Sequence, residues 1–177
     1  IMGTITRVFE FDCAHRVMNE KVKCFNLHGH RFKAEVTLSY SEKAALGYAT
    51  DFKELKRILG DFIDRFLDHA CLLNPEDLGL ITMCSENKWR LWIMGLGHHA
   101  DVNPSAENIA SELFYIFRQF FPKDSQTSIE KIRLYETPNC WVEVTGYDYE
   151  ATESFQKEIM KWRNSKGTFN YDIRTDI

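Results

Sequence analysis

Several features that mark other classes of protein are missing from this sequence of 177 residues. No stretch approaches the roughly 18 apolar residues of a membrane helix, and the alternating TITRVFEFD near the start is not preceded by an apolar signal-like run. No block of lysine and arginine is present, and 26 acidic residues against 22 basic ones give a net charge of −4. We therefore expect no membrane span and no nucleic-acid partner, because a phosphate backbone requires a basic footprint.

The sequence also lacks a disulfide framework, an internal repeat and a low-complexity segment. Its five cysteines are odd in number and show no framework spacing, which favours a reducing, cytoplasmic compartment. The hydrophobic share of 44% and the aromatic share of 14% are sufficient for a packed, Phe-rich core. The length fits one soluble domain.

Histidine is scarce, yet two of the six histidines fall in the segment CFNLHGH at 24–30. The segments TRVFEFDCAH and HGHRFKAEVTLSY both alternate between apolar and polar residues, which predicts two strands. Side chains repeat with period two along a strand, so His28 and His30 point to the same side. His15 shares the parity of the apolar residues in the first strand. We expect the three imidazoles to converge at neighbouring strand ends.

The rest of the chain predicts two helices and two further strands. Apolar residues recur at helical spacing in DFKELKRILGDFIDRFLDH, with Asp51 as the expected N-cap. They recur again after NPSAEN, where Ser105 is the expected cap and Glu107 lies in the first turn. SIEKIRLYE and CWVEVTGYD alternate as strands on either side of the turn signal TPN. The predicted fold is α+β in the order ββααββ, an antiparallel four-stranded sheet with both helices on one face.

Two regions fall outside this plan. Segment 75–103 is longer than an ordinary connection between helices, so it is either functional or has structure of its own. Its two histidines, His98 and His99, are expected to be exposed. Region 149–177 has helical potential in ATESFQKEIMKWRNS, followed by a polar tail. We therefore expect one domain over 1–148 with an insertion at 75–103, and a C-terminal helical extension and tail over 149–177.

The converging histidines favour a catalytic zinc site. Three neutral imidazoles with one open position are typical of catalytic zinc, whereas closed structural sites usually have four Cys or His ligands. Taken alone, His28 and His30 are equally consistent with solvated turn residues, and His15 with a hydrogen-bonded strand end. Cys24 is a candidate base or nucleophile, because a thiol in electropositive surroundings ionises more readily. The alternative is that Cys24 is a fourth zinc ligand.

Three acidic and basic residues elsewhere are further candidates. Asp68 and His69 end the first predicted helix and could form a pair in which the carboxylate orients the imidazole for proton transfer. Taken alone, they fit an ordinary helix C-cap better. Glu136 ends a strand on its apolar parity, so its carboxylate is directed toward the buried face and needs a partner. That partner is either the two parallel N–H donors of a pterin-like edge or an ordinary salt bridge.

The motifs FDCAH, C-x3-HGH, DF before the first helix, LDH, PSAEN and YETPNCWVEV resemble, in this order, those of the 6-pyruvoyl- and 6-carboxy-tetrahydropterin synthase family. The resemblance covers about 4–147 and implies the tunnelling fold, with 7,8-dihydroneopterin triphosphate as substrate. It also implies zinc (Zn2+) held by His15, His28 and His30, with Cys24, Asp68 and His69 as catalytic residues. Glu136 would be the pterin anchor, and we take Ser105 and Glu107 of PSAEN as further substrate-binding positions.

The interval of three residues between the cysteine and HGH resembles the bacterial 6-carboxy enzymes of queuosine precursor synthesis. This similarity favours a lyase that forms 6-carboxy-5,6,7,8-tetrahydropterin and releases acetaldehyde and triphosphate. One alternative is a 6-pyruvoyl-tetrahydropterin synthase acting on the same substrate, and a second is a non-catalytic, zinc-containing pterin-binding module. The family also implies a homo-oligomer, with a hexamer favoured and active sites between subunits. The chain departs from the family pattern in segment 75–103, in its C-terminal extension, and in TDF, where a methionine often precedes the aspartate.

Overall fold

In the computed structural model, which describes residues 1–98, 101–122 and 125–164, the chain forms six strands and four α-helices. They follow one another as β1 (Gly3–His15), β2 (His28–Tyr40), α1 (Phe52–Leu55), β3 (Ala70–Leu73), α2 (Leu78–Glu86), β4 (Leu91–Ile93), α3 (Ala106–Phe120), β5 (Thr127–Thr137), β6 (Cys140–Val144) and α4 (Glu153–Asn164). Helix α1 continues through the π-helical turns Lys56–Gly60 and Ile63–Leu67. A single 3-10 turn covers Lys23–Phe25.

The strands form one sheet in the order β4-β3-β1-β2-β5-β6. β1, β2, β5 and β6 pair in antiparallel fashion, whereas β3 runs parallel to β1 and β4 runs parallel to β3. The α+β class is confirmed, but the predicted four-stranded antiparallel sheet in the order ββααββ is wrong. Because β3 has four residues and β4 only three, neither is long enough to show a period of two.

The predicted helix caps are formed where the sequence places them. The Asp51 side chain accepts a hydrogen bond from the Lys53 backbone N–H at 2.8 Å, before α1. Ser105 accepts one from the Asn108 N–H at 3.2 Å, before α3. Such bonds satisfy backbone donors that a helix start otherwise leaves unpaired. The caps therefore fix the first residue of each helix, and the second cap lies beside the site described below.

The core lies between the sheet and the helices and is rich in phenylalanine, as the composition predicts. Odd-numbered residues of β1 from Phe9 onward face it, in register with Phe32 and Ala34 of β2. Helix α3 packs over β5 and β6 and contributes Phe114 and Phe117. Burying one such side chain fully contributes about 1.5–3 kcal/mol. This packing fixes which parity of β1 and β2 is directed inward.

Segment 75–103 has structure of its own, since it contains α2 and β4. α2 contributes Ile81 and Cys84 to a small apolar cluster with Leu73 of β3 and Leu91 of β4. After Tyr149, where the sequence predicts helical potential, α4 spans Glu153–Asn164. The aromatic rings that pack α4 against the continuation of α1 and against β4 are Phe62, Phe66, Trp92, Phe155 and Trp162.

A buried carboxylate joins the segment to the C-terminal extension. Glu112 of α3 accepts hydrogen bonds from the Trp92 indole at 2.8 Å, from the Tyr149 hydroxyl at 2.7 Å and from the backbone N–H of Gly95. Burial raises the pKa of Glu112 to about 7, although the three donors oppose that shift. The two regions that lie outside the predicted plan are therefore attached to α3 at the same point.

His98 is exposed, as expected, whereas His99 and residues 165–177 of the expected tail lie outside the described residues. In the part of the chain that the structure describes, every helix is too short or too polar to span a bilayer.

Candidate active site

The alternation of β1 and β2 brings three histidines together on the core face of the sheet. His15 and His28 are cross-strand partners, and His30 lies two residues further along β2. One ring nitrogen from each lies within 4.8 Å of the others, a group that could hold a metal ion. The predicted convergence of the three imidazoles is therefore confirmed.

Backbone carbonyls fix two of the three rings. The Nδ1 atom of His15 donates to the carbonyl of Pro104 at 2.7 Å, and that of His28 donates to the carbonyl of Asn26 at 2.6 Å. Because a carbonyl oxygen only accepts, both Nδ1 atoms carry the proton and both Nε2 atoms present a lone pair. These Nε2 atoms are 3.1 Å apart. Such bonds to the outer ring nitrogen are what orients metal-ligating histidines in proteins.

The third ring carries a polar atom without a partner. Nε2 of His30 is buried and has no hydrogen bond within the described part of the chain. A buried polar atom without a partner costs free energy, so such an atom calls for an explanation. A metal ion between the three rings supplies one, because it would use the lone pair of this nitrogen.

Burial lowers the pKa of His15, and the neighbouring imidazoles His28 and His30 act in the same direction, while the hydrogen bond to the Pro104 carbonyl opposes the shift. The neutral form is therefore favoured, and only a neutral imidazole binds a metal ion.

Glu136 lies beside this cluster. It is at the end of β5, where the pairing with β6 shifts register, and its carboxylate is 3.7 Å from Nε2 of His30. The side chain is 31% exposed, so its oxygens remain accessible to a ligand. Ser105 follows Pro104 at the start of α3, and Glu107 is exposed in the first turn of that helix. The structure thus brings the predicted anchor, Glu136, to the three histidines.

Cys24 lies in the loop that joins β1 to β2, within the 3-10 turn Lys23–Phe25. Its thiol is exposed, and its backbone carbonyl accepts a hydrogen bond from the Val17 N–H at 2.9 Å. The loop begins after His15 and ends before His28, so both of its ends are at the cluster. Among the described residues, the group with metal-binding spacing consists of the three histidines without the thiol.

Asp68 and His69 form the predicted pair. Nδ1 of His69 donates to Asp68 Oδ2 at 2.8 Å, and Asp68 Oδ1 accepts from the backbone N–H of Asp12 at 2.8 Å. Burial alone would raise the pKa of Asp68, but the hydrogen bonds from Asp12 and His69 lower it. The Asp68 carboxylate is therefore ionised. It holds the His69 ring by Nδ1, so that Nε2 of His69 points away from Asp68.

The same two residues also end the helix. The Asp68 N–H donates to the carbonyl of Ile63 at 2.8 Å, and His69 has a φ of 61°, the left-handed conformation that glycine usually adopts after a helix. The His69 N–H is bonded to the carbonyl of Asp12 at 2.6 Å. Helix termination and side-chain pairing, the two alternatives that the sequence left open, therefore occur together.

His69 faces a cleft of about 530 Å³ on the exposed side of the sheet. The cleft is also lined by Asp12, Ala14, Trp89 and one member of the histidine cluster, His30. Along β1, the side chains of Asp12 and Ala14 alternate with the buried Cys13 and His15. The side chains of Asp12 and Ala14, which line this cleft with His69, therefore point to the face opposite His15 and its cross-strand partner His28.

Sequence reasoning missed several groups that position the site. The carbonyls of Asn26 and Pro104 belong to the backbone, for which residue type gives no signal. Asp12 holds Asp68 only because β3 pairs with β1. Arg90 donates to the carbonyls of Asp64 at 2.7 Å and Asp68 at 2.5 Å, a contact that depends on the fold of segment 75–103.

The sequence model of one protein family, 6-pyruvoyl tetrahydropterin synthase, matches residues 4–147. The chain belongs to this family. The 6-carboxy-5,6,7,8-tetrahydropterin synthase of Rickettsia felis is 34% identical over 145 residues, covering 78% of this chain and 97% of the relative. The protein of the same name from Haemophilus influenzae is 31% identical over 148 residues, covering 80% and 98%. The family recognised from the motifs is confirmed, as is the prediction that the chain is an enzyme of this family.

The structure agrees with that assignment. The 6-pyruvoyl tetrahydropterin synthase of Caenorhabditis elegans superposes with a TM-score of 0.56 at 23% identity, covering 81% of this chain and 95% of the other. This similarity shows a shared fold, the tunnelling fold of the family. In this chain, β3 and β4 extend its sheet to six strands.

Proposed function

We propose that this chain is a zinc-dependent lyase that converts 7,8-dihydroneopterin triphosphate to 6-carboxy-5,6,7,8-tetrahydropterin, with release of acetaldehyde and triphosphate. This reaction belongs to the synthesis of queuosine precursors. The observation that carries the proposal is the convergence of His15, His28 and His30 beside Glu136. Two relatives that carry the name of this activity cover most of the chain.

Zinc is the metal that fits this donor set. Three neutral imidazoles suit zinc better than calcium or magnesium, which prefer oxygen ligands, and they leave one position of a tetrahedron for substrate. His15, His28 and His30 would hold it, and the unpaired Nε2 of His30 would gain a partner. When bound, zinc would polarise the side-chain oxygens of the substrate.

The remaining residues divide recognition and proton transfer between them. Glu136 would accept the two parallel N–H donors of the pterin edge, a geometry that matches a carboxylate. Ser105 and Glu107, at the start of α3, would contact the substrate from the side of His15. Cys24, as thiolate, would remove a proton from a side-chain carbon, and His69 would transfer the other proton. Asp68 fixes the proton on Nδ1 of His69, which leaves Nε2 for exchange with substrate.

An oligomer would bring these two groups together. Because the His69 cleft is lined by Asp12 and Ala14, whose side chains point to the face opposite His15 and His28, we expect Asp68 and His69 to serve Cys24 of a neighbouring subunit. β3 pairs with β1 only at Cys13–His15, so the rest of that edge has no strand partner in the described chain. An open edge favours pairing with another subunit. We propose a homo-oligomer, with a hexamer favoured.

We further propose that residues 1–148 form the synthase domain, with segment 75–103 inserted into it. Residues 149–177 would then be a C-terminal extension and tail. The shared attachment of the segment and the extension to Glu112 supports a role for both in the folded enzyme rather than in a separate domain.

The second candidate is a 6-pyruvoyl tetrahydropterin synthase, which the description of the matching family model favours. Product analysis by mass spectrometry after addition of 7,8-dihydroneopterin triphosphate separates the two. Acetaldehyde with the carboxy pterin supports the main proposal. A pyruvoyl pterin that keeps all side-chain carbons supports the second candidate. Absence of turnover by the zinc-loaded protein would contradict both and favour a binding module.

A further inference from the structure

The segment that carries Cys24 has little packing of its own. None of the three residues in the turn Lys23–Phe25 is buried. The turn is held to the end of β1 by the bond from the Val17 N–H to the Cys24 carbonyl. A second contact is the guanidinium of Arg16, whose central carbon lies 4.8 Å from the centroid of the Phe25 ring. The position of the thiol therefore depends on residues 16–17.

Arg16 is in turn fixed by segment 75–103. Its Nε and one terminal nitrogen donate to the two carboxylate oxygens of Asp77, at 2.8 Å and 2.7 Å. The Asp77 side chain is only 2% exposed and that of Arg16 is 23% exposed. Two parallel bonds give both affinity and a fixed orientation, and screening by water is weak at this burial. Arg16 is thereby oriented with its face over Phe25.

The other end of segment 75–103 holds the neighbouring backbone. The Asn103 side chain accepts from the Met18 N–H at 2.8 Å and donates to the Met18 carbonyl at 3.0 Å. Asn103 also accepts from the fully buried Asn74 at 3.0 Å. Residues 16–18 are thus attached to both ends of the segment. The turn Lys23–Phe25, which carries the thiol, is in turn attached to residues 16–17.

We propose that Asp77 and Arg16 are positioning residues, through which segment 75–103 fixes the place of Cys24 in the loop between His15 and His28. Arg16 transmits that position through its stack on Phe25. The inference rests on the proposed function, in which Cys24 acts on substrate. Segment 75–103 thereby has a role in the reaction, although Asp77 and Asn103 need not touch substrate.

Asp77→Asn and Phe25→Leu test this proposal. Asp77 is also the N-cap of α2, where its side chain accepts from the Leu80 N–H. Asparagine can still form that cap but cannot accept both bonds from Arg16, and leucine keeps an apolar side chain without the aromatic face. We expect Asp77→Asn to lower kcat at least about tenfold, since small displacements of a catalytic group reduce rates steeply. Phe25→Leu should lower kcat about threefold, as the contact is partly exposed. KM and zinc content should change little in either variant, because neither Glu136 nor a histidine is altered.

Amide hydrogen exchange over residues 16–28, followed by mass spectrometry, gives a readout that does not need activity. Exchange should become faster in both variants. Glu54→Gln removes a similar bidentate pair with Arg57 on α1 and is the control, in which exchange over 16–28 and kcat should not change. Phe25→Tyr keeps the aromatic face and should restore both quantities.

The possible results separate this inference from the proposed function. Unchanged amide exchange rates over residues 16–28 in both variants would show that Asp77 and Arg16 do not hold the turn Lys23–Phe25. Faster exchange with unchanged kcat would show that they hold it without consequence for the reaction, and would also overturn the proposal. If the unaltered protein shows no synthase activity, the proposed function fails, and the exchange data alone decide whether segment 75–103 fixes Cys24.

Discussion

The two faces of the sheet carry two kinds of site. On the core face, His15, His28 and His30 are brought together by one pair of strands, with two rings fixed by backbone carbonyls. On the exposed face, His69 is 75% exposed and lines an open cleft. The three histidines are brought together within one chain, whereas His69 faces a cleft that is open to solvent. Metal binding should therefore be a property of each chain, and turnover a property of the assembly.

The largest effect is expected from breaking the core-face group. His28→Ala removes one of three imidazoles and leaves too few ligands for a stable zinc site, so metal and activity should be lost together. Zinc content measured by elemental analysis should fall from one per chain to a small fraction, and turnover to background. His98→Ala, which alters an exposed histidine bonded to the Glu150 carbonyl, should retain both. A His28→Ala protein with stoichiometric zinc would contradict the ligand assignment.

The exposed face is tested by mixing two variants. Cys24→Ala and His69→Ala should each keep zinc and lose turnover by about 10²–10⁴-fold, as expected when a proton-transfer group is removed. If the pair serves a neighbouring subunit, oligomers formed from both chains contain some sites with both residues intact. Activity should then reappear after dissociation and reassembly of the mixture, measured as turnover per chain.

Two controls accompany the mixing experiment. Cys140→Ala, which alters the other exposed cysteine among the described residues, should leave turnover unchanged. Reassembly of either variant by itself should give no recovery. Mixed oligomers verified by mass spectrometry that remain inactive would place Cys24 and His69 of the same chain in one site, and loss of zinc from Cys24→Ala would make the thiol a ligand.

The sequence predicts the three histidines of the core face better than it predicts the location of Asp68 and His69. The convergence of His15, His28 and His30 follows from the period of two in long strands, so the sequence alone was sufficient to predict it. The pairing of Asp68 with His69 was also predictable, because the residues are adjacent. Their location was not, since it depends on β3 lying parallel to β1 with Cys13 opposite Ala70. A strand of four residues that pairs across more than fifty positions of sequence leaves no periodic signal.

Segment 75–103 shows the same limit. Its length predicted that it had a function or structure of its own, but α2 and β4 are short, and their placement depends on contacts with distant residues. The bonds from Asp77 to Arg16 and from Trp92 to Glu112 join positions that no local pattern relates. Buried polar contacts of this kind are determined by tertiary packing, and the sequence shows only that each residue is present.

The smallest effect is expected at Glu112, which belongs to neither face and should alter stability without altering zinc content. Its pKa is raised from about 4.5 to about 7 by burial, so the folded protein keeps this proton over a range in which the unfolded chain has released it. The free energy of unfolding should therefore fall as pH rises through that range and level off above it.

The variant Glu112→Gln tests this pH dependence. Its side chain cannot titrate, so its contribution to stability should be independent of pH. The amide introduced by Glu112→Gln would also place a donor opposite the Trp92 N–H. At low pH the variant should therefore be about 1–3 kcal/mol less stable than the unaltered protein. Urea unfolding of both proteins across this range measures the difference, and parallel pH profiles would show that Glu112 does not titrate as described.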